Sequence, residues 1–228
     1  MITLKQVIAI LCCMACMALP ITVVKPNTAG KPANTAVETD SGLPAGSNLK
    51  ITAKNATVEV QPAGDGQYRC DYDENNCTVT TVTSDAAFEI TVAGKPDAAF
   101  GWEDRVMIYI PAQTYDLITG VSEKGGLKLS GLNTDIDVTN NAGSVMIDLP
   151  SDYDRTLNYT GISASGAVIL NGNSDFAVSA EFTSCSVTVP DTWPPCGNGS
   201  SEYSYTSGSG IAKVNIELTN ASFSLNNE

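Results

Sequence analysis

The sequence contains no histidine, and it is poor in basic, aromatic and charged residues generally. Twelve Lys and Arg stand against 25 Asp and Glu; charged residues make up 16% of the chain and aromatics 7%. Each shortage closes a class of function. Without imidazole there is no Ser-His-Asp or Cys-His catalysis and no zinc site that uses a histidine ligand. The bases are scattered rather than clustered and the formal net charge is −13, so the chain repels nucleic acid and anionic membrane surfaces. Low charge content beside abundant Ser, Thr, Asn and Gly is not the Glu/Lys-rich composition of a helical protein. The length, 228 residues, suits one domain of ordinary size or two small ones.

One long apolar run is present. It extends from Val7 to Val24 between Lys5 and Lys25, at the lower edge of what spans a bilayer. Pro20 and Thr22 interrupt it. One reading is a secretory signal with small residues near Cys16-Met17-Ala18; another is a retained N-terminal membrane helix. A lipidated form at Cys16 is a third, although Cys13 occupies a place where leucine is usual. All three place the remainder outside the cytoplasm. Residues 25–47 carry Pro26, Pro32, Pro44, Gly30, Gly42 and Gly46 without apolar periodicity, as a flexible tether does. The chain therefore divides into a signal or anchor (1–24), a linker (25–47) and a folded region (48–228).

Three of the seven cysteines, Cys12, Cys13 and Cys16, fall in the apolar run. Cys70, Cys77, Cys185 and Cys196 fall in the exported part, where disulfides form. Four cysteines allow three connectivities. The simplest is local, Cys70–Cys77 and Cys185–Cys196, each pair bracketing a polar loop. No C-x-x-C spacing and no histidine support a redox or metal site.

From Asn48 onward the hydrophobic period is two. Val106, Ile108 and Ile110 alternate with Met107 and Tyr109; Leu127 and Leu129 flank Lys128; Ile136 and Val138 alternate with Asp135 and Asp137. The same holds for Val145 to Leu149, Phe176 to Ala180 and Val214 to Leu218. These are half-buried strands, separated by turn signals such as Asn141-Ala142-Gly143 and Asn171-Gly172-Asn173. No amphipathic helix follows residue 25. A repeat is superimposed on the strands. Val106 to Pro111 followed by Tyr115 is echoed by Val145 to Pro150 followed by Tyr153, and by Cys185 to Pro190 followed by Trp193. Gly126 corresponds to Gly166, and Asn133-Thr134-Asp135-Ile136-Asp137-Val138 to Asn173-Ser174-Asp175-Phe176-Ala177-Val178, 40 residues later. A period of about 40 residues fits two coils of a β-solenoid of about 20 residues each better than a propeller blade. The expected fold is all-β, a solenoid of short stacked strands with a proline ending a strand at a corner and an aromatic capping it. A β-sandwich is the alternative.

The strand–proline–tyrosine pattern at 106–115 and 145–153, with Gly125-Gly126-Leu127-Lys128-Leu129-Ser130, resembles a bacterial family of exported, adhesin-like β-solenoid domains of unknown function. The resemblance spans about residues 48 to 225. It implies a non-enzymatic module at the bacterial cell surface, behind an N-terminal membrane segment. The family has no agreed catalytic residues. The four exported cysteines and the stretch from Asp191 to Ser209 depart from its plain pattern.

Few residues suggest chemistry. Asp135 and Asp137 share the outward face of one strand and Asp148 lies on the next; paired carboxylates serve glycoside hydrolysis, and equally serve solubility on an exposed face. Asp71-Tyr72-Asp73-Glu74-Asn75-Asn76 begins like a calcium loop but has Asn76 where glycine is needed and Val82 where glutamate is needed; it reads as a disulfide-closed hairpin tip. Gly208-Ser209-Gly210 lacks the rest of a phosphate loop and reads as a turn into the last strand. N-x-S/T sequons at Asn55, Asn76, Asn158, Asn198 and Asn220 are compositional. Trp102, Trp193, Tyr203 and Tyr205 belong at loops or corners, where aromatics bind sugars or, more commonly, pack. No cofactor or metal is called for. The expectation is an exported, non-catalytic adhesin or interaction scaffold that binds a surface glycan or protein. A carbohydrate-active enzyme and an envelope-signalling accessory are the alternatives.

Overall fold

The computed structural model describes residues 48–84, 87–95, 105–111, 115–196 and 201–227. The apolar run and the linker lie outside these residues. Among the described residues there is no helix, and therefore none long and apolar enough to cross a membrane.

The alternating segments form strands, and the strands come in pairs; in six of the seven pairs a corner of two residues joins them. The pairs are β1 (Asn48–Lys54) with β2 (Thr57–Ala63), and β5 (Ala87–Gly94) with β6 (Val106–Pro111). Next come β7 (Leu117–Glu123) with β8 (Gly126–Ser130), β9 (Asp135–Asn141) with β10 (Ser144–Asp148), and β11 (Thr156–Ile162) with β12 (Ser165–Ile169). The last are β13 (Phe176–Thr183) with β14 (Ser186–Thr188), and β16 (Ala212–Thr219) with β17 (Ser222–Asn226). In each pair the first strand joins a nine-stranded sheet and the second an eight-stranded sheet. Coil lies on coil through parallel pairing, as in Leu157 beside Ile136 and Val145 beside Leu127. Three further strands are antiparallel edges: β3 (Arg69–Asp71), β4 (Cys77–Thr83) and β15 (Glu202–Ser207). The chain is thus all-β, two sheets facing one another in a solenoid-like stack.

The coils are not stacked in chain order. Along the nine-stranded sheet the order is β15-β13-β16-β11-β9-β7-β1-β5-β4, and the eight-stranded sheet repeats it as β14-β17-β12-β10-β8-β2-β6-β3. The chain starts on β1, steps outward to β5, then returns to the other side of β1 with β7. At the far end β13 takes the outer place and β16 inserts between it and β11. The first and last coils therefore have neighbours on both sides, which hides the ladder edges that chain-order winding would expose. An irregularity at the last coils was expected from the stretch Asp191 to Ser209; it takes the form of β15 and this insertion.

One corner recurs six times. Asn55, Lys124, Ala142, Ser163, Ser184 and Asn220 all have φ between 46° and 58°, the left-handed region that L residues other than Asn seldom enter. A small residue follows each: Ala56, Gly125, Gly143, Ala164, Cys185 and Ala221. In five of the six the conformation places the N–H against the next coil. Asn55 donates to the Glu123 carbonyl, Lys124 to Asn141, Ala142 to Ile162, Ser163 to Thr219 and Asn220 to Thr183, all at 2.9 Å. Past the small residue the ladder resumes, with Gly126 donating to Ala56 (2.9 Å) and Ser144 to Gly125 (2.8 Å). Corner amides that would otherwise be orphaned are satisfied by the stack itself.

The opposite corner is closed by side chains. Tyr115, Tyr153 and Trp193 are buried, and the N–H groups of Tyr153 and Trp193 donate to the carbonyls of Pro150 (3.0 Å) and Pro190 (2.9 Å). The aromatics that follow the prolines do cap this corner. Polar groups knit successive coils there: Thr134 Oγ1 donates to the Tyr115 carbonyl (2.6 Å), the Tyr153 hydroxyl to the Thr134 carbonyl (3.1 Å) and Asn173 Nδ2 to the Tyr153 carbonyl (2.8 Å). Between the corners, Ile51, Ile90, Ile118, Leu127, Leu129 and Ile147 are almost fully buried, each contributing about 1.5–3 kcal/mol relative to exposure.

Three sequence readings need correction. Pro111 and Pro150 do occupy equivalent places, but in the third echo Val187 rather than Cys185 shares the row of Val145, Gly166 lies in the row of Leu127, one residue from Gly126, and Ile136 lies in the row of Val178 rather than Phe176. The loop 71–76 is not a hairpin tip, because β3 and β4 belong to different sheets and the loop crosses between them. The turn at Gly208 to Gly210 leads into β16, after which the chain still forms β17.

The small residue after the left-handed position is set by the neighbouring coil. A Cβ on Gly125 would sit 2.2 Å from the Ala56 carbonyl oxygen, which is backbone and has no rotamer to yield. Gly125→Ala is therefore expected to destabilise by about 1–3 kcal/mol, read as a lower urea midpoint; an unchanged midpoint would contradict the corner geometry.

Candidate functional site

The sequence directs attention first to Asp135, Asp137 and Asp148. The structure separates them. Asp135 and Asp137 are on β9, in the nine-stranded sheet, and Asp148 is on β10, in the eight-stranded sheet. The outer faces of the two sheets point away from one another, so Asp148 does not converge with the other two. Asp135 accepts the Thr156 N–H at 2.9 Å and acts as a corner tie. Asp148 accepts a hydrogen bond from Asn171 Nδ2, which also donates to the Leu149 carbonyl (2.7 Å).

Asp137 has different company. Strand register places Ser179, Asn215, Asn158 and Asp137 in one outward row across β13, β16, β11 and β9. Asn215 Nδ2 donates to Asn158 Oδ1 at 2.9 Å. The adjacent row carries Glu202, Glu181 and Glu217 on β15, β13 and β16, followed by Thr160 on β11. Shallow grooves of about 380 and 480 Å³ run over these rows, lined by Thr160, Glu181 and Glu217 together with Asp137, Asn158, Ser179 and Asn215 on one side and Glu202 on the other. This polar, acidic strip on the nine-stranded sheet is the candidate site. Like charges directly opposite across a ladder destabilise it, so three neighbouring glutamates are a costly arrangement. The strip was not legible in the sequence. Its glutamates lie at positions 181, 202 and 217, and it takes the strand order β15-β13-β16-β11 to set them in one row that continues into Thr160.

Elsewhere acids are committed to the fold. Glu59 is buried on the eight-stranded sheet between Lys128 Nζ (3.0 Å) and Arg105. Burial pushes its carboxyl up, but the hydrogen bonds and charges of Lys128 and Arg105 outweigh this and hold it below the usual range. Asp175 is held low chiefly by the Ile211 N–H (3.0 Å), aided by the Ser209 hydroxyl, and so pins the turn into β16. In the loop 71–76, Asp73 Oδ1 accepts the Asn75 N–H (2.8 Å) and side-chain amide (2.9 Å), while Asp71 pairs with Arg69 (3.3 Å). Those carboxylates close the loop on itself. Among the described residues no group of three or more acids, cysteines or histidines is arranged to hold a metal.

The aromatics mostly pack. Trp193 lies between Phe176 (ring centroids 5.0 Å apart) and Tyr205 (4.8 Å), and the Tyr203 hydroxyl donates to the Pro194 carbonyl at 3.0 Å. Trp193 and Tyr203 are buried and Tyr205 is half-buried. Trp102 and the sequon at Asn198 lie outside the described residues. Asn55 and Asn220 are exposed corner residues, Asn158 is exposed on the strip and Asn76 is half-buried in its loop.

Cys70, Cys77, Cys185 and Cys196 are thiols in this structure. Cys70 and Cys77 are both buried where β3 and β4 cross between the sheets. Burial pushes the Cys70 thiol up, and the charge of Cys77 adds to the effect. Burial also pushes Cys77 up to about 11, with Asp73 adding and Lys95 opposing. Such thiols are poor nucleophiles at neutral pH. If oxidation joins them, it does so before the end of the stack closes. Peptide mapping of the chain recovered from an oxidising compartment is expected to give Cys70–Cys77 and Cys185–Cys196, whereas the reduced, folded chain should leave Cys70 and Cys77 unreactive to mild oxidant. Recovery of a bond between Cys70 or Cys77 and Cys185 or Cys196 would contradict the pairing.

Comparison with known proteins agrees with this architecture. Residues 47–150 match the family described as Toastrack DUF4097, a domain of unknown function. A solved structure from Clostridium sporogenes ATCC 15579, described as a "putative cell adhesion protein", has the same fold: 16% identity, TM-score 0.56, covering 87% of this chain and all of that one. A second, from Bacteroides fragilis NCTC 9343 and described as a "putative adhesin", aligns at 10% identity and TM-score 0.35 over 85% of this chain and 98% of that one. No curated protein matches the sequence.

Proposed function

With a Toastrack DUF4097 match over residues 47–150 as the premise, we propose that this chain is an exported, non-catalytic β-solenoid displayed at a bacterial cell surface, where it acts as an adhesin or interaction scaffold. The N-terminal apolar run carries it to or holds it at the membrane, and the segment 25–47 sets the stack off from it. The partner is a surface glycan or a protein. The likeness to the Clostridium sporogenes structure, described as a "putative cell adhesion protein", supports the adhesive reading.

The observation that carries the proposal is the strip on the nine-stranded sheet. A row of three like charges lowers stability, and it borders grooves whose walls offer hydroxyl, amide and carboxylate groups at the regular strand spacing of about 4.8 Å. Such a surface matches a polymer with repeating hydroxyl or cationic groups. Asp148 lies on the opposite sheet, so the pair of carboxylates that glycoside hydrolysis requires would have to come from this strip alone.

Removing the middle charge separates binding from folding. Glu181→Gln is expected to raise stability by about 0.2–1 kcal/mol while lowering retention on an array of cell-wall glycans and basic surface proteins. Loss of retention together with loss of stability would indicate a structural role for Glu181. A wild-type chain that is retained by no glycan or protein on the array would remove the adhesive reading.

A further inference from the structure

We propose that β4 is a self-association edge: a second copy of this chain pairs with it antiparallel about a two-fold axis through Thr81. The proposal stands on the strand itself and does not depend on what the strip binds.

An edge strand offers unpaired N–H and C=O groups to any extended segment, and proteins normally blunt such edges by shortness, charge or proline. The edges of the eight-stranded sheet, β3 and β14, have three residues each. β15 carries Glu202 beside Glu181. β4 has none of these protections. It is seven residues long, and Thr78-Val79-Thr80-Thr81-Val82-Thr83 contains no charge, proline or glycine. Val82 is 41% exposed. Among the described residues no strand lies beyond it in the sheet.

The hydrogen-bond phase says which groups are free. Ser84 N–H donates to the Ala87 carbonyl and Lys95 N–H to the Asn76 carbonyl. In the β4–β5 register these pairs are in step with Val82–Glu89, Thr80–Thr91 and Thr78–Ala93. Antiparallel ladders alternate bonded and non-bonded pairs, so the even-numbered residues of β4 bond to β5. Val79, Thr81 and Thr83 turn their N–H and C=O outward. Cys77 N–H is already donated to the Asp73 carbonyl at 3.1 Å. Three outward residues centred on Thr81 are complementary to themselves. Thr81 faces the partner copy's Thr81, and Val79 faces its Thr83, twice over, with no donor left unused.

Charge favours a second copy at this end. The chain carries −13 overall, so copies repel one another where acids predominate. On the outer face of the strands next to β4 the charges are paired: Lys50 with Glu89 (3.3 Å) and Lys54 with Glu123 (3.5 Å) on β5, β1 and β7. On the outer face of the joined sheet, Thr80 would sit opposite Val82, an uncharged β-branched pair of the kind that stabilises antiparallel neighbours.

The test is the mass of the full chain in detergent by sedimentation, with circular dichroism to check folding. The wild type is expected as a dimer. Thr81→Pro removes an outward N–H without touching the β4–β5 bonds and is expected to give a folded monomer. Thr80→Lys, which sets two added charges close together across the axis, is expected to do the same. Thr81→Cys is expected to form an intermolecular disulfide between the introduced thiols, because bonded pairs lie about 5.5 Å apart at Cα. Thr78→Cys, whose symmetry mate would be roughly 20 Å away, is expected not to. A monomeric wild type, a dimer that survives both Thr81→Pro and Thr80→Lys, or equal cross-linking at positions 78 and 81 would overturn the proposal. So would a monomeric wild type that takes up an added extended peptide along β4.

Discussion

Everything in this molecule depends on identical corners lying on one another. A parallel stack of short strands has no hairpin to fix its register, and each coil alone buries too little to persist. Register is instead enforced where the two sheets meet. A single left-handed residue turns the chain, and its N–H is donated to the carbonyl one coil away. The strain of placing Lys124, Ala142 or Ser163 in that conformation is offset only when the neighbouring coil is present. Small residues follow because the next backbone is in contact: Gly143 has the Gly125 carbonyl where a Cβ would be. Buried polar groups reinforce the arrangement. Asn140 Nδ2 reaches the Ser165 carbonyl (2.8 Å) and the Tyr159 hydroxyl (2.9 Å), so one side chain ties two coils. Burial pushes the Tyr159 phenol up to about 12, with the Asn140 hydrogen bond pulling the other way, which keeps it neutral inside the stack.

The same constraint explains the exchanged coil order. Corner ladders and strand ladders need a neighbour on each side, and the ends of a stack lack one. Placing the first coil inside β5 and the last inside β13 leaves middle segments of the chain at the ends, where β4, β3 and β15 cap them with antiparallel pairing. The irregular stretches of sequence, 64–86 and 189–211, are where these caps and steps occur.

Period-two alternation at 106–110, 145–149 and 214–218 identified the inward residues correctly, because facing depends on parity alone. The Pro111/Tyr115 and Pro150/Tyr153 echoes identified a true corner. A shift of two residues leaves parity unchanged, so Ile136 was matched to Phe176 when its row contains Val178. The left-handed corner went unread as a repeat, since Asn, Lys, Ala and Ser all occupy it and only the small residue after it is constant. Coil order was invisible because no local signal distinguishes a strand that continues a stack from one inserted into it. The candidate strip was hidden for the same reason: Asn158 and Asn215, on β11 and β16, are neighbours only through that insertion.

The central claim is that corner amides bond between coils rather than to water, and hydrogen exchange measures this directly. The amides of Asn55, Lys124, Ala142, Ser163 and Asn220 are expected to exchange as slowly as the strand amides beside them. Ser163 is the most telling, since its acceptor, Thr219, is its neighbour only in the exchanged order. Exchange of these amides at the rate of open turn residues, with the strands still protected, would contradict the account.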